Sequence, residues 1–150
     1  MKQVVNSNKI AQIGIVVHDI ERTSQAYADF FGMEKPDVVW TDGFDKAETE
    51  YREEPTDARA RLVYFNMGSV QLELIQPNGE QSIWQEFLDN HGEGVQHIGL
   101  ATDKIDERVR DMDKEGIPLL QKGKYAGDKY AYVDTNEELK VIFELLENKN

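Results

Sequence analysis

Apolar residues in this 150-residue chain gather in short runs between polar turns, and their period changes from run to run. The run "KIAQIGIVV" (9–17) is almost continuously apolar, with Gln12 set into it, and predicts a buried strand. Asp19 then opens "DIERTSQAYADFFGM", where Ile20, Ala26, Tyr27, Phe30 and Phe31 fall near helical spacing. Asp19 suits the N-cap, because its carboxylate accepts from free backbone N–H groups, and Gly32 suits the stop. "DVVWT" (37–41) reads as a short strand, and the polar, acidic stretch 42–58 reads as a long loop. "ARLVYFNMGSVQLELI" predicts a hairpin turning at "NMGS", and "SIWQEFLDN" a short helix capped by Ser82.

The second half repeats the order. "VQHIGLAT" predicts a strand, "DKIDERVRDMDKEGI" a helix capped near Asp103 and closed by Gly116, and Pro118 bars continuation. "PLLQKG", "KYAYVDT" and "KVIFELLE" follow as strands, with a turn at "NEE". Each half therefore runs β, α, β, β, β, the first over about 9–90 and the second over about 94–148. We expect one domain over residues 1–150, of class α+β, with a cupped mixed sheet built from two tandem βαβββ modules.

The two halves match residue by residue. Gln12-Ile13-Gly14-Ile15 matches His97-Ile98-Gly99-Leu100 at an offset of 85, and Ile20 matches Ile105 at the same offset. "QLELI" (71–75) matches "IFELL" (142–146), pairing Glu73 with Glu144 at an offset of 71. An insertion at 42–58 in the first half alone accounts for the shorter offset. Such internal similarity marks a duplicated module.

The duplication brings four polar residues into equivalent places: Gln12, Glu73, His97 and Glu144. Taken singly, each has an ordinary reading. The glutamates suit exposed strand faces, and Gln12 and His97 suit hydrogen-bonded core groups. Taken together, they do not. A carboxylate on a largely apolar face costs several kcal/mol, about, unless it is paired or bound to a cation. Two such carboxylates brought close repel, and a divalent cation removes the conflict. One imidazole, one amide oxygen and two carboxylates suit Zn, Mn, Co, Ni or Fe(II).

Composition sets the outer bounds. The net charge of −12 argues against nucleic acid and against an anionic membrane surface. Lys122, Lys124 and Lys129 form a local basic gathering, or simply a solvated hairpin. The chain has no cysteine, which removes thiolate ligands and disulfides. No apolar stretch of about 18 residues predicts a membrane span, and "MKQVVNSNKI" lacks the apolar core of a signal peptide, so a cytoplasmic location is expected. Trp40, Phe44, Tyr64, Tyr130 and Tyr132 are candidates to line the cup, or else core aromatics.

At "AQIGIVV", "GEGVQHIGLAT", "DKIDERVRDMDKEGI" and "VIFELLE" the chain resembles the vicinal oxygen chelate superfamily of glyoxalase I, methylmalonyl-CoA epimerase, extradiol dioxygenases and bleomycin resistance proteins. The resemblance runs from about Lys9 to Glu147. It implies paired βαβββ modules cupped around one divalent metal ion held by Gln12, Glu73, His97 and Glu144. It also implies a homodimer. The ligand set resembles eukaryotic glyoxalase I, whereas the quoted segments resemble methylmalonyl-CoA epimerases. Departures exist on both sides: Gln12 stands where epimerases usually have His, and Asp134-Thr135-Asn136-Glu137 replaces the Asp-Pro-Asp-Gly turn of glyoxalase I.

Both enzymes remove a proton next to a carbonyl through an enolate or enediolate stabilised by the metal. The resemblance makes Glu144 the first candidate base and Glu73 the second. The expected substrate is a small carbonyl or thioester. The expectation is thus an epimerase-like enzyme, with a lactoylglutathione lyase or a non-catalytic binding protein of the bleomycin resistance type as alternatives.

Overall fold

The computed structural model describes residues 4–147; residues 1–3 and 148–150, including the expected module end at 148, lie outside the described residues. Among the described residues, ten strands form one mixed sheet. The first half contributes β1 (Ile10–Val16), α1 (Ile20–Phe31), β2 (Val39–Trp40), α2 (Phe44–Ala47), β3 (Glu50–Tyr51), β4 (Glu54–Pro55), β5 (Ala60–Met67) and β6 (Val70–Pro77). Helix α3 (Ile83–His91) then leads into β7 (Gly94–Thr102), α4 (Ile105–Lys114), β8 (Leu119–Tyr125), β9 (Asp128–Val133), α5 (Asn136–Leu139) and β10 (Ile142–Glu147).

The strand order is β2-β5-β6-β1-β7-β10-β9-β8-β3-β4. Its central part is symmetric. β1 lies parallel to β6, β7 lies parallel to β10, and β1 and β7 meet antiparallel between them. The first and last strands of each half thus sit side by side at the centre of the sheet, where the matched polar positions are.

Alternation sorts the residues of each strand to the two faces. On the outer face, Ile20 and Ala28 of α1 pack on Val63, Phe65 and Leu74. Ile105 and Met112 of α4 pack on Ala131, Val133 and Leu145. Inside the cup, Ile83 and Trp84 of α3 pack with Val16, Leu62, Ile75, Leu120 and Leu146. Burying each of these larger side chains contributes about 1.5–3 kcal/mol, so α3 closes one end of the concave face. Asp19 caps α1 by accepting from Arg22 N, as its sequence predicts.

The stretch 42–58 is not the plain loop expected. It holds α2, β3 and β4, and it spans the sheet from edge to edge. β2 lies at one edge and β3 and β4 at the other, after which the chain returns to β5 beside β2. Glu50 and Tyr51 pair with Lys122 and Gln121 of β8. The neck of this strap is pinned where Thr41 N donates to Ala60 O and Ala60 N to Thr41 Oγ1, both at 2.9 Å. Its far end is held by Arg52, whose Nη2 lies 2.7 Å from Glu86 Oε1 of α3. In the second half, the matching connection between β8 and β9 is only the turn Ala126-Gly127.

Two smaller expectations are also corrected. The N-cap of α4 is Lys104, in a left-handed conformation, whereas Asp103 pairs with Arg108 at 2.8 Å. The predicted turn at "NEE" is the helical turn α5, because Thr135 O accepts from Leu139 N.

Candidate metal centre

Strand register decides what meets at the middle of the sheet. Gly14 of β1 stands between His97 of β7 and Glu73 of β6. Gly99 of β7 stands between Gln12 of β1 and Glu144 of β10. Positions side by side in a sheet share a face, and Gln12 and Gly14 are two apart, so both rows face the concavity. The structure therefore brings Gln12, Glu73, His97 and Glu144 together, each from a different strand.

All four are buried, with residue exposures of 4%, 6%, 0% and 5%. His97 Nε2 lies 3.1 Å from Glu144 Oε1 and 3.5 Å from Glu73 Oε1. The Gln12 amide has its nitrogen on Gln71 Oε1 at 2.8 Å. Its oxygen faces His97 Nε2 and Glu73 Oε1 at 3.3 Å and Glu144 Oε1 at 3.1 Å. Three oxygens and an imidazole nitrogen thus point at one another.

That arrangement fits a cation. Donors about 2.1 Å from a metal stand about 3.0–3.4 Å from their neighbours in octahedral or tetrahedral geometry. The observed separations of 3.1–3.5 Å match this spacing. Without a cation, the amide would turn over so that its nitrogen donates to both carboxylates. With a cation present, the oxygen would face inward as a ligand.

Titration follows the same logic. Burial pushes the His97 imidazole down, but the Glu144 and Glu73 carboxylates outweigh it, and its pKa is pushed up to about 9. Burial raises the Glu144 carboxyl, opposed by His97 and reinforced by the charge of Glu73. A metal and a proton would therefore compete for the same atoms.

Against Gln12, Glu73 and Glu144 lies a cavity of about 50 Å³. Tyr64, Tyr130 and Tyr132 line it, as expected, together with Trp84 and Tyr125. Burial, and then the neighbouring carboxylates, hold the Tyr64 and Tyr132 hydroxyls well above the usual phenol range, so both stay protonated. Each of these tyrosines stands opposite one glutamate across an antiparallel pair: Tyr64 faces Glu73, and Tyr132 faces Glu144. Trp84 Nε1 donates to Tyr132 Oη at 2.9 Å and fixes that ring edge-on to His97. Trp40 and Phe44 are not part of this lining. Trp40 pairs with Arg61, not Leu62, which turns it to the outer face under Arg59 and Arg61. Phe44 lies on α2 and borders a separate cleft with Lys122, Lys124 and Lys129. There Lys124 pairs with Glu48 and Lys129 with Asp106, so this basic gathering is largely neutralised.

The profile of the Glyoxalase/Bleomycin resistance protein/Dioxygenase superfamily matches residues 11–133. The chain belongs to that superfamily. Among its relatives, the uncharacterized protein YqjC of Bacillus subtilis is 26% identical over 95% of this chain and 94% of its own length. Mitochondrial methylmalonyl-CoA epimerase of Mus musculus is 26% identical over 75% of this chain, which spans 56% of that protein. A structure of a Streptomyces coelicolor methylmalonyl-CoA epimerase variant with 2-nitronate-propionyl-CoA superposes at a TM-score of 0.65, with 26% identity and 95% coverage of both chains. The curled mixed sheet is the superfamily fold.

Sequence reasoning missed three parts of this site. Gly14 and Gly99 were visible as a repeated glycine at the same offset of 85 as Gln12 and His97. Gln96 was visible as a polar residue beside His97 in an apolar strand. Tyr125 carried no local signal, because the hairpin that places it is defined only by pairing with β9.

Proposed function

We propose that this protein is a divalent-metal-dependent, epimerase-like enzyme that moves a proton on the carbon next to a carbonyl or thioester. The observation that carries the reading is the convergence of two buried carboxylates and an imidazole, whose ligand atoms lie within 4.8 Å of one another, with the Gln12 amide 3.1–3.3 Å from all three. Gln12, Glu73, His97 and Glu144 would hold the metal, which is one of Zn, Ni, Co, Mn or Fe. When bound, the ion supplies Lewis acidity toward the oxyanion form of the substrate.

The side chains supply the rest. Glu144 and Glu73 project from β10 and β6, on opposite sides of the β1–β7 centre line. A carboxylate on each side of the reacting carbon can take a proton from one face while the other returns it to the opposite face. Glu144 is the first base and Glu73 the second. Tyr132 and Tyr64 stay protonated beside them and orient the carboxylates.

Cavity size limits what enters. About 50 Å³ holds a few waters or the small reacting head of a substrate, far below the roughly 300 Å³ or more of a pocket that engulfs a larger ligand. The rest of the substrate would stay outside. The relatives named as methylmalonyl-CoA epimerases support a CoA thioester of a branched dicarboxylic acid as the first substrate to try.

The test is incubation of metal-loaded protein with methylmalonyl-CoA in D₂O. We expect deuterium at the carbon next to the thioester, with no consumption of O₂, and a rate lowered about 10²-fold or more in Glu144→Gln. Exchange at wild-type rate in Glu144→Gln, or turnover that consumes O₂, would overturn the mechanism.

A further inference from the structure

The imidazole of His97 has two nitrogens, and only Nε2 faces the donor set. The other, Nδ1, lies 3.1 Å from Gln96 Oε1. Gln96 is itself almost wholly buried, at 1% exposure, and its amide nitrogen donates to Ile83 O at 2.9 Å. Both ends of the Gln96 amide are therefore committed. Its nitrogen is held by the first residue of α3, so its oxygen is left to accept from Nδ1–H.

The anchor continues beyond Ile83. Ile83 N donates to Gln121 Oε1 at 2.8 Å, and Gln121 Nε2 donates to Tyr130 Oη at 3.1 Å. Gln121 is fully buried. A chain of two glutamines thus ties the N-terminus of α3 to β7 on one side and to β8 and β9 on the other. Only the Gln96 limb reaches His97.

We infer that Gln96 is a positioning residue. It holds His97 in the tautomer with the proton on Nδ1 and directs the Nε2 lone pair into the cluster of Gln12, Glu73 and Glu144. This rests on the metal reading of that cluster. The partner of a ligand histidine generally fixes its tautomer and ring orientation, and its loss typically weakens metal binding about 10- to 100-fold. In this chain the partner is an amide whose own orientation is set by a helix terminus.

The experiment compares metal affinity and folding in wild type, Gln96→Met and Gln121→Met by titrating Zn²⁺ against a competing chelator and by thermal melting. We expect Gln96→Met to weaken Zn²⁺ binding about tenfold or more. Gln121→Met, which orphans Ile83 N–H, should lower the melting temperature yet leave the Zn²⁺ affinity within about twofold of wild type. Equal loss of affinity in both variants, or unchanged affinity in Gln96→Met, would reduce Gln96 to a structural role and overturn the proposal. If wild type itself binds no divalent metal, the metal reading fails, and this proposal falls with it. Should Gln96→Met not fold, ¹⁵N-histidine-labelled wild type loaded with ¹¹³Cd decides the matter. Cadmium coupling to Nε2 with a slowly exchanging Nδ1 proton supports the assignment, and coupling to Nδ1 overturns it.

Discussion

Gly14 and His97 cannot both carry a side chain into the same space. A Cβ on Gly14 would stand 1.9 Å from His97 Cε1 and 2.4 Å from both ring nitrogens. The imidazole lies directly on the backbone of β1, which is why a glycine follows Gln12 by two residues. The matching position, Gly99, is more forgiving: a Cβ there would meet the Leu146 Cδ1 methyl at 2.8 Å and Gln12 Cβ at 3.1 Å.

This asymmetry makes a sharp prediction. Gly14→Ala should displace His97, weaken metal binding by about 10²-fold or more, and destabilise the fold by about 1–3 kcal/mol as an overpacked core does. Gly99→Ala should cost less on both counts, since the end of the Leu146 side chain can move. Metal titration and melting of both variants check this. Equal effects, or a silent Gly14→Ala, would show that the ring does not sit where the structure puts it.

A second prediction concerns pH in metal-free protein. The His97 pKa is raised from 6.5 to about 9, so its contribution to stability is full below pH 6.5 and lost as pH rises through about 9. The Glu144 carboxyl is also raised, which favours the protonated form and works in the same direction. Chelator-treated protein should therefore melt at a lower temperature at pH 9 than at pH 6.5. Metal-loaded protein, whose donors are already deprotonated, should lose less. A melting temperature of the stripped protein that rises with pH over this window would contradict the electrostatics described.

Removing one carboxylate tests the repulsion directly. Above about pH 9, where His97 has lost its proton and only the repulsion remains, Glu144→Gln should stabilise the metal-free protein and weaken metal binding, and Glu73→Gln should do the same. Adding metal at about 100 times its dissociation constant should stabilise wild type by about 2.7 kcal/mol. Calorimetry with and without chelator reads both effects. A variant less stable than wild type in the metal-free state at that pH would show that the carboxylates are not in conflict.

The strap offers a prediction away from the chemistry. Glu86 of α3 accepts from both Arg52 and Tyr51. Glu86→Ala should leave overall stability within about 1 kcal/mol, as exposed ion pairs usually do. It should nonetheless expose residues 48–56 to limited proteolysis, because the remaining β3–β8 ladder is two residues long. An equally protected strap would mean that the ladder alone holds it.

How far the sequence alone carried this picture depended on whether the signal was local or repeated. The central strands were legible because "QIGI" and "HIGL" state one register twice, and the buried glutamates because they interrupt apolar runs at matched places. The strap was not legible. "TEYREEP" is polar because β3 and β4 form a narrow edge pair, half-buried in β3 and exposed in β4, and the partner β8 lies some 70 residues further along. Trp40 was misplaced because one position of register, against Arg61 and not Leu62, decides which face an edge aromatic takes. Gln96 was passed over because a lone amide beside a histidine shows its purpose only when its two partners, one of them a backbone carbonyl in α3, are seen together.

The central claim is that four side chains from four strands hold one divalent ion. Anomalous diffraction from crystals of the protein loaded with Zn²⁺ measures it most directly. We expect one strong peak within about 2.0–2.2 Å of Gln12 Oε1, Glu73, His97 Nε2 and Glu144. A peak bound elsewhere, or a metal-loaded structure in which Glu73 or Glu144 turns away from the other three, would contradict it.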